Sequence, residues 1–219
     1  MRKITFGSLI LFIVILAAAC SSGDGDDPPE ATAEPTIPRI SLADPEKAGE
    51  YVNLPEIYRD ERGLATYGSD GSVPNTAPHV TGDVDYDAVG NSNPPAGGPH
   101  WSGGCPRDPT EAEECGPAPW GIYRDPWPAE TVVHNMEHGG TVIWYNTTDQ
   151  AVIDDLEDYV GGNSDKLLVL TPYPEMEAEH VAITIWSRID LIAVGEYSRE
   201  FIDDFMDDWY CHWDPEGFC

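Results

Sequence analysis

"TVIWYNTTDQAVIDDLEDYVGGNSDKLLVLT", residues 141–171, carries the reading of the fold. Its first five residues, "TVIWY" (141–145), are β-branched and aromatic, the composition of a strand. Thr148 or Asp149 then stands where a helix cap belongs. Val152, Ile153, Leu156, Tyr159 and Val160 recur at helical spacing until Gly161 stops them. "KLLVLT" (166–171) reads as a buried strand. Further downstream, "HVAITIW" (180–186) and "IDLIAV" (189–194) form a hairpin around Ser187-Arg188. "SREFIDDFMDDWY" (198–210) is a final helix with Phe201, Ile202, Phe205, Met206 and Trp209 on one face and Asp203, Asp204, Asp207 and Asp208 on a solvated one. The order β-α-β-β-α predicts an α+β domain, a small mixed sheet with two or three helices packed on it.

Upstream, residues 51–130 are long loops punctuated by Pro and Gly, without a sustained period. Loops of that length in a compact domain are usually functional or disordered, and His79, His100 and Trp101 favour function here. The N-terminus differs again. "MRK", a 16-residue apolar run from Ile4 to Ala19 and "LAAAC" read as a signal peptide (1–19) ending in a lipobox-like cysteine. Such a run is shorter than the roughly 20 residues that span a bilayer. Cys20 is therefore the expected acylation site, and 20–50, rich in Pro, Gly, Ser and acid, an expected disordered tether. One globular domain, 51–219, follows, placed outside the cytoplasm and held at the cell membrane by its lipid.

Charge narrows the partners. Eleven Lys plus Arg against 40 Asp plus Glu leave a formal charge of -29. Nucleic acid is excluded, because binding it needs cations on phosphates. Anionic lipid repels such a surface too, leaving the membrane contact to the acyl chain. With Cys20 lipidated, four cysteines remain, and an even set in an exported chain favours disulfides. Local pairing, Cys105–Cys115 and Cys211–Cys219, is the simplest of three connectivities; zinc ligation is the rival, although no CxxC occurs.

"VHNMEHGG" (133–140) concentrates His134, Glu137 and His138 in five residues. In a strand His134 and His138 would share a face about 13 Å apart, too far for one ion. On a helical turn, i and i+4 are stacked neighbours within about 6 Å. The β-branched run Thr131-Val132-Val133 argues against a long helix, so one helical turn or a compact loop is expected. His100 ends the stiff loop "NSNPPAGGPHW" (91–101), and His79 lies in "TAPHV" (76–80). Prolines lower the cost of ordering such loops. Imidazole is the commonest transition-metal ligand. The metal candidates are thus His134, His138, His100, His79 and Glu137, the last as ligand or as an acceptor orienting a histidine, with copper or zinc as the ion. Asn93, Pro94, Pro95, Trp101 and Trp120 are candidates for a binding loop; Met136 is assigned to the core, and His180 and His212 to the periphery. The spacing H-x-x-E-H also matches a zinc peptidase pattern in which the glutamate is the base. A metal-dependent hydrolase using Glu137, with a third ligand from Glu175, Glu177, Glu179, Glu196 or Glu200, is therefore an alternative. A surface interaction module with structural histidines is another.

"NSNPPAGGPHW", "APWGIY", "VHNMEHGGTVIWY" and "LLVLTPYP … HVAITIWSR" resemble, over about 79 to 210, the domain-of-unknown-function 3105 family. The resemblance implies an exported or membrane-anchored bacterial protein, related to the p53-inducible protein 13 of animals, and implies no activity. The insert carrying Cys105 and Cys115 looks like an addition to that pattern. The element order is also superficially like the second half of a thioredoxin fold, but without a redox CxxC, and such a likeness carries no function.

Overall fold

A computed structural model describes residues 41–58, 79–214 and 217–219. The chain divides into a unit from Met1 to Pro38 and one from Arg39 to Cys219, and every described residue belongs to the second. The expected signal peptide, Cys20 and most of the tether lie outside the described residues.

The six-stranded mixed sheet has the order β1-β6-β5-β3-β4-β2. Its strands are β1 (Glu50–Tyr51), β2 (Gly121–Ile122), β3 (Thr141–Asn146), β4 (Leu168–Pro172), β5 (His180–Ile185) and β6 (Arg188–Ala193). Three helices pack on it: α2 (Ala129–Glu137), α3 (Gln150–Gly162) and α4 (Arg199–Trp209); a fourth, α1 (Leu54–Ile57), is a single turn. The quoted stretch is the parallel β3–α3–β4 unit at the centre, with β2 extending β4 in parallel. On the other side β5 and β6 run antiparallel. This is the α+β arrangement expected from the sequence.

Alternation along β3 divides the core. Val142 and Trp144 face α2 and the upstream loops, while Ile143 and Tyr145 face α3 and α4. The side chain of Asp149 caps α3 by accepting from the Ala151 N–H (2.9 Å), and Val152, Leu156, Tyr159 and Val160 bury its inner face. The helix continues past Gly161 to Gly162, where the Asn163 N–H closes it on Tyr159 and Val160 carbonyls. The hairpin turn is Trp186-Ser187 rather than Ser187-Arg188. Ile185 pairs with Arg188, and Ser187 takes the left-handed conformation at φ 68°.

Two expectations are corrected. Residues 41–50, assigned to the tether by composition, pack on the sheet. Leu42 and Ala48 join the α3/α4 core, and Glu50–Tyr51 pairs with β6. Asp208 is not part of a solvated face; it accepts from Lys47 Nζ (2.6 Å) and the Ala48 N–H (2.9 Å). The remaining acids of α4, Asp203, Asp204 and Asp207, are exposed as expected.

Candidate metal centre

The helix α2 is buried along all nine residues, which explains why it exists. Thr131, Val132 and Val133 argue against a long helix, and one helical turn or a compact loop was expected. Their β-branched penalty is a fraction of a kcal/mol each, whereas burying an apolar side chain contributes about 1.5–3 kcal/mol. Burial wins, and the sequence-based expectation of a short turn is corrected. The end of the helix matches expectation. Gly140 N–H bonds Asn135 O (3.0 Å) and Gly139 N–H bonds Met136 O (3.1 Å), a Schellman closure with Gly139 left-handed at φ 78°. Gly140 has its own reason, since a Cβ there would lie 2.4 Å from the Trp120 ring.

With 129–137 helical and His138 as the C-cap, His134, Glu137 and His138 gather at the helix end. His134 Nε2 is 3.1 Å from His138 Nε2. Two upstream segments bring the rest. The 91–101 loop is tied by Asn91 to Gly97 O (2.7 Å), by Tyr86 Oη to Pro99 O (2.6 Å) and by the Ser187 N–H to Ala96 O (2.7 Å). It delivers a fully buried His100. His79 pairs alongside His100, the Val80 N–H donating to His100 O (2.9 Å), and its side chain stays half exposed. The three rings of His79, His100 and His134 lie with centroids 4.7–5.1 Å apart. Donor atoms of these three and of Glu137 fall within 4.8 Å of one another.

Hydrogen bonds decide what these nitrogens can do. His100 Nδ1–H donates to Gly98 O (2.8 Å), and His134 Nδ1–H donates to Trp101 O (2.7 Å). Each ring is thus held by a carbonyl at Nδ1 and turns Nε2 inward, the orientation found when histidine binds metal and its other nitrogen is held by a carbonyl. His100 Nε2 stands 3.0 Å from Glu137 Oε2, and His79 Nε2 stands 3.7 Å away. The Glu137 side chain is only 2% exposed. Two buried acceptors at hydrogen-bonding distance need a proton or a cation between them. Ligand atoms on one zinc ion, each about 2.0–2.2 Å from it, stand roughly 3–4 Å from each other. The observed cluster is close to that size, and the half-exposed His79 is the side chain with room to close.

Burial pushes the His134 imidazole down to about 4, with its bond to the Trp101 carbonyl working the other way. The unfolded chain protonates this ring near pH 6.5. Below that, unfolded chains take up a proton that the folded metal-free protein refuses. The stability linked to His134 thus shrinks as pH falls from 6.5 and levels off below about 4. Urea titrations of metal-free protein at about pH 7, 5.5 and 4 should show this loss, and His134→Gln should flatten it. Parallel profiles for the two proteins would refute the assignment.

Among the sequence candidates, the structure brings His79, His100, His134 and Glu137 into one group. His138 is not in that group; its Nε2 lies 3.1 Å from that of His134, and its ring stacks on Phe218 with centroids 4.3 Å apart. Met136 is fully buried, and His180 and His212 lie elsewhere, the former bonded to Ala178 O (2.9 Å). Pro94 and Pro95 are buried and shape the loop, Asn93 donates to Glu175 O (3.0 Å), Trp101 is 8% exposed and Trp120 37% exposed. Both local disulfides, Cys105–Cys115 and Cys211–Cys219, are formed.

Two contributors had no clear signal in the sequence. Asn135, inside "HNMEH", accepts from the Ala118 N–H (2.9 Å) and donates to Ala118 O (2.8 Å), fastening the 116–118 segment to α2. Gly116 sits where a Cβ would fall 2.5 Å from Trp101 O and 2.9 Å from His134 Nδ1. The glycine directly after Cys115 was the available hint. The Cys105–Cys115 insert therefore abuts the centre.

No curated protein and no solved structure matches the chain. The family model described as a protein of unknown function (DUF3105) matches residues 79–217, which hold every member of the histidine–glutamate group, and the chain belongs to that family.

Proposed function

We propose that this chain is an exported, lipid-anchored protein that binds one transition-metal ion through His79, His100, His134 and Glu137. The observation that carries it is the buried 3.0 Å approach of His100 Nε2 to the Glu137 carboxylate, with the far side of each buried ring already held by a carbonyl. A divalent cation takes imidazoles in their neutral form and carboxylates in their ionised form, and these four side chains would offer it three nitrogens and one oxygen at a single point. No sulfur joins the four: Met136 is in the core, and the described cysteines are in disulfides. Nitrogen with one oxygen suits divalent zinc or copper, and copper binds such a set more tightly wherever both are offered. The acidic surface raises the local cation concentration around the site. The lipid on Cys20 and the acidic tether would hold the domain at the outer face of the membrane.

Glu137 acts as a ligand in this reading. Its oxygen lies among the ring nitrogens, where it meets the ion itself instead of a water bound to it, so the geometry favours binding over hydrolysis. Protein purified without chelator or affinity tag should carry close to one equivalent of zinc or copper by elemental analysis. Apo-protein should take up one equivalent of either in a calorimetric titration. Sub-stoichiometric metal in both would sink the proposal.

A further inference from the structure

We propose that the cleft beside the first turn of α2 binds an organic cation, an ammonium or guanidinium carried on an apolar stem. The cleft measures about 670 Å³, within the range of small-molecule sites. Five carboxylates line it, among them Asp83, Asp87, Glu130 and Glu175, and among the described residues neither Lys nor Arg does. Trp101, Tyr173 and several prolines form its walls.

The acids stand in two tiers. Asp83, Asp87 and Glu175 are exposed at the rim. Glu130 is only 8% exposed, at the base. Its Oε1 accepts from the Val84 N–H (2.7 Å), which positions the group without supplying a positive charge. A carboxylate buried that far usually has a cationic partner; none of the described lining residues is one, which leaves that place to a ligand. Burial first, with Asp83 and Glu175 adding, pushes the Glu130 carboxyl above its ordinary value, as like charges facing one another should.

A bare metal ion does not fit. Among the described residues, the histidine group is where three or more metal donors come within 4.8 Å of each other. No three carboxylates of the cleft gather into such a group. They suit a larger, diffuse charge that rests its apolar part on proline and aromatic surface, where a cation near a ring gains about 0.5–2 kcal/mol. The inference is independent of metal binding, although Trp101 touches both places: its indole lines the cleft and its carbonyl holds His134.

The test titrates the full chain, at about 0.15 M ionic strength, with choline, with N-acetyl-arginine amide and with 3,3-dimethylbutanol, the neutral isostere of choline, following tryptophan fluorescence and heat. One or both cations should bind saturably while the neutral alcohol does not. Choline alone would indicate a free small amine, and the arginine amide alone a basic side chain of a peptide. Glu130→Gln and, at the rim, Glu175→Gln should each weaken binding, Glu130→Gln by about tenfold. Asp203→Asn/Asp204→Asn/Asp207→Asn, which removes exposed charge on α4, should leave it unchanged. Should Glu130→Gln fail to fold, the Glu175→Gln comparison still decides. No saturable binding by either cation would overturn the proposal. So would equal weakening by the α4 variant, the result of diffuse attraction to an acidic surface.

Discussion

Replacing His134 with alanine should strip the protein of stoichiometric metal while leaving it folded. His134 holds the middle of the centre: its ring lies within 5 Å of both His79 and His100, and its Nε2 is 3.1 Å from that of His138. Gly116 backs directly onto its Nδ1 side, and the Trp101 carbonyl fixes that nitrogen as the donor. Losing an outer-sphere partner of a metal ligand costs about 10- to 100-fold in affinity. Losing the ligand itself should exceed that, so competition against a chelator should show more than a 100-fold drop. The Trp101 carbonyl loses its donor as well, which should lower stability by about 1–3 kcal/mol. His180→Ala, which touches no part of the centre, is the matched control and should bind metal as the parent does. Unchanged affinity in His134→Ala would show that the rings gather for structural reasons.

The largest stability loss should come from Arg188→Leu. Its guanidinium lies within hydrogen-bonding distance of the carbonyls of Leu42, Asp44, Lys47, Ala48 and Gly49, at 2.6–3.4 Å, and stacks 4.4 Å over Trp209. The residue is 1% exposed, and among the described residues no carboxylate pairs with it. Its role is thus to satisfy a turn of backbone and hold 41–50 against β6. Leucine would leave several part-buried carbonyls without donors, at about 1–3 kcal/mol each, so a loss of at least about 4 kcal/mol is expected in urea unfolding. That is a large part of the 5–15 kcal/mol typical of a domain. Arg199→Leu supplies the contrast. Arg199 pairs with Asp155 where both side chains are more than one-third exposed, and such pairs contribute about 1 kcal/mol or less. Limited proteolysis should also cut 41–50 faster in Arg188→Leu. Equal losses for the two arginines would remove the clamp from the account.

Residues 141–209 were legible because their signals are local. An alternating strand, an Asp149 cap and a four-residue apolar recurrence each lie within one element, and all reappear in β3, α3 and α4. The helix misread was α2, and the short β1, α1 and β2 fell where only tether or loop was expected. The apolar residues of α2, Ala129, Val132, Val133 and Met136, do recur at helical spacing, but the β-branched run hid that stripe, and burial on every side is what stabilises the helix. The segment 41–50 escaped for a similar reason: composition cannot show that Arg188, some 140 positions away, binds its carbonyls.

For the centre, the sequence by itself determined which chemistry was available: imidazoles on proline-stiffened loops, a glutamate beside two of them, cysteines in pairs and an acidic surface around all. Only the tertiary structure decided that residues 79, 100, 134 and 137 meet, that His138 stands to one side, and which nitrogen of each buried ring faces inward. Side-chain identity is a property of one position. A coordination sphere a few ångströms wide is set by packing between segments distant in the chain, where burial of α2 and the pinning of two loops supply the free energy that no local pattern records.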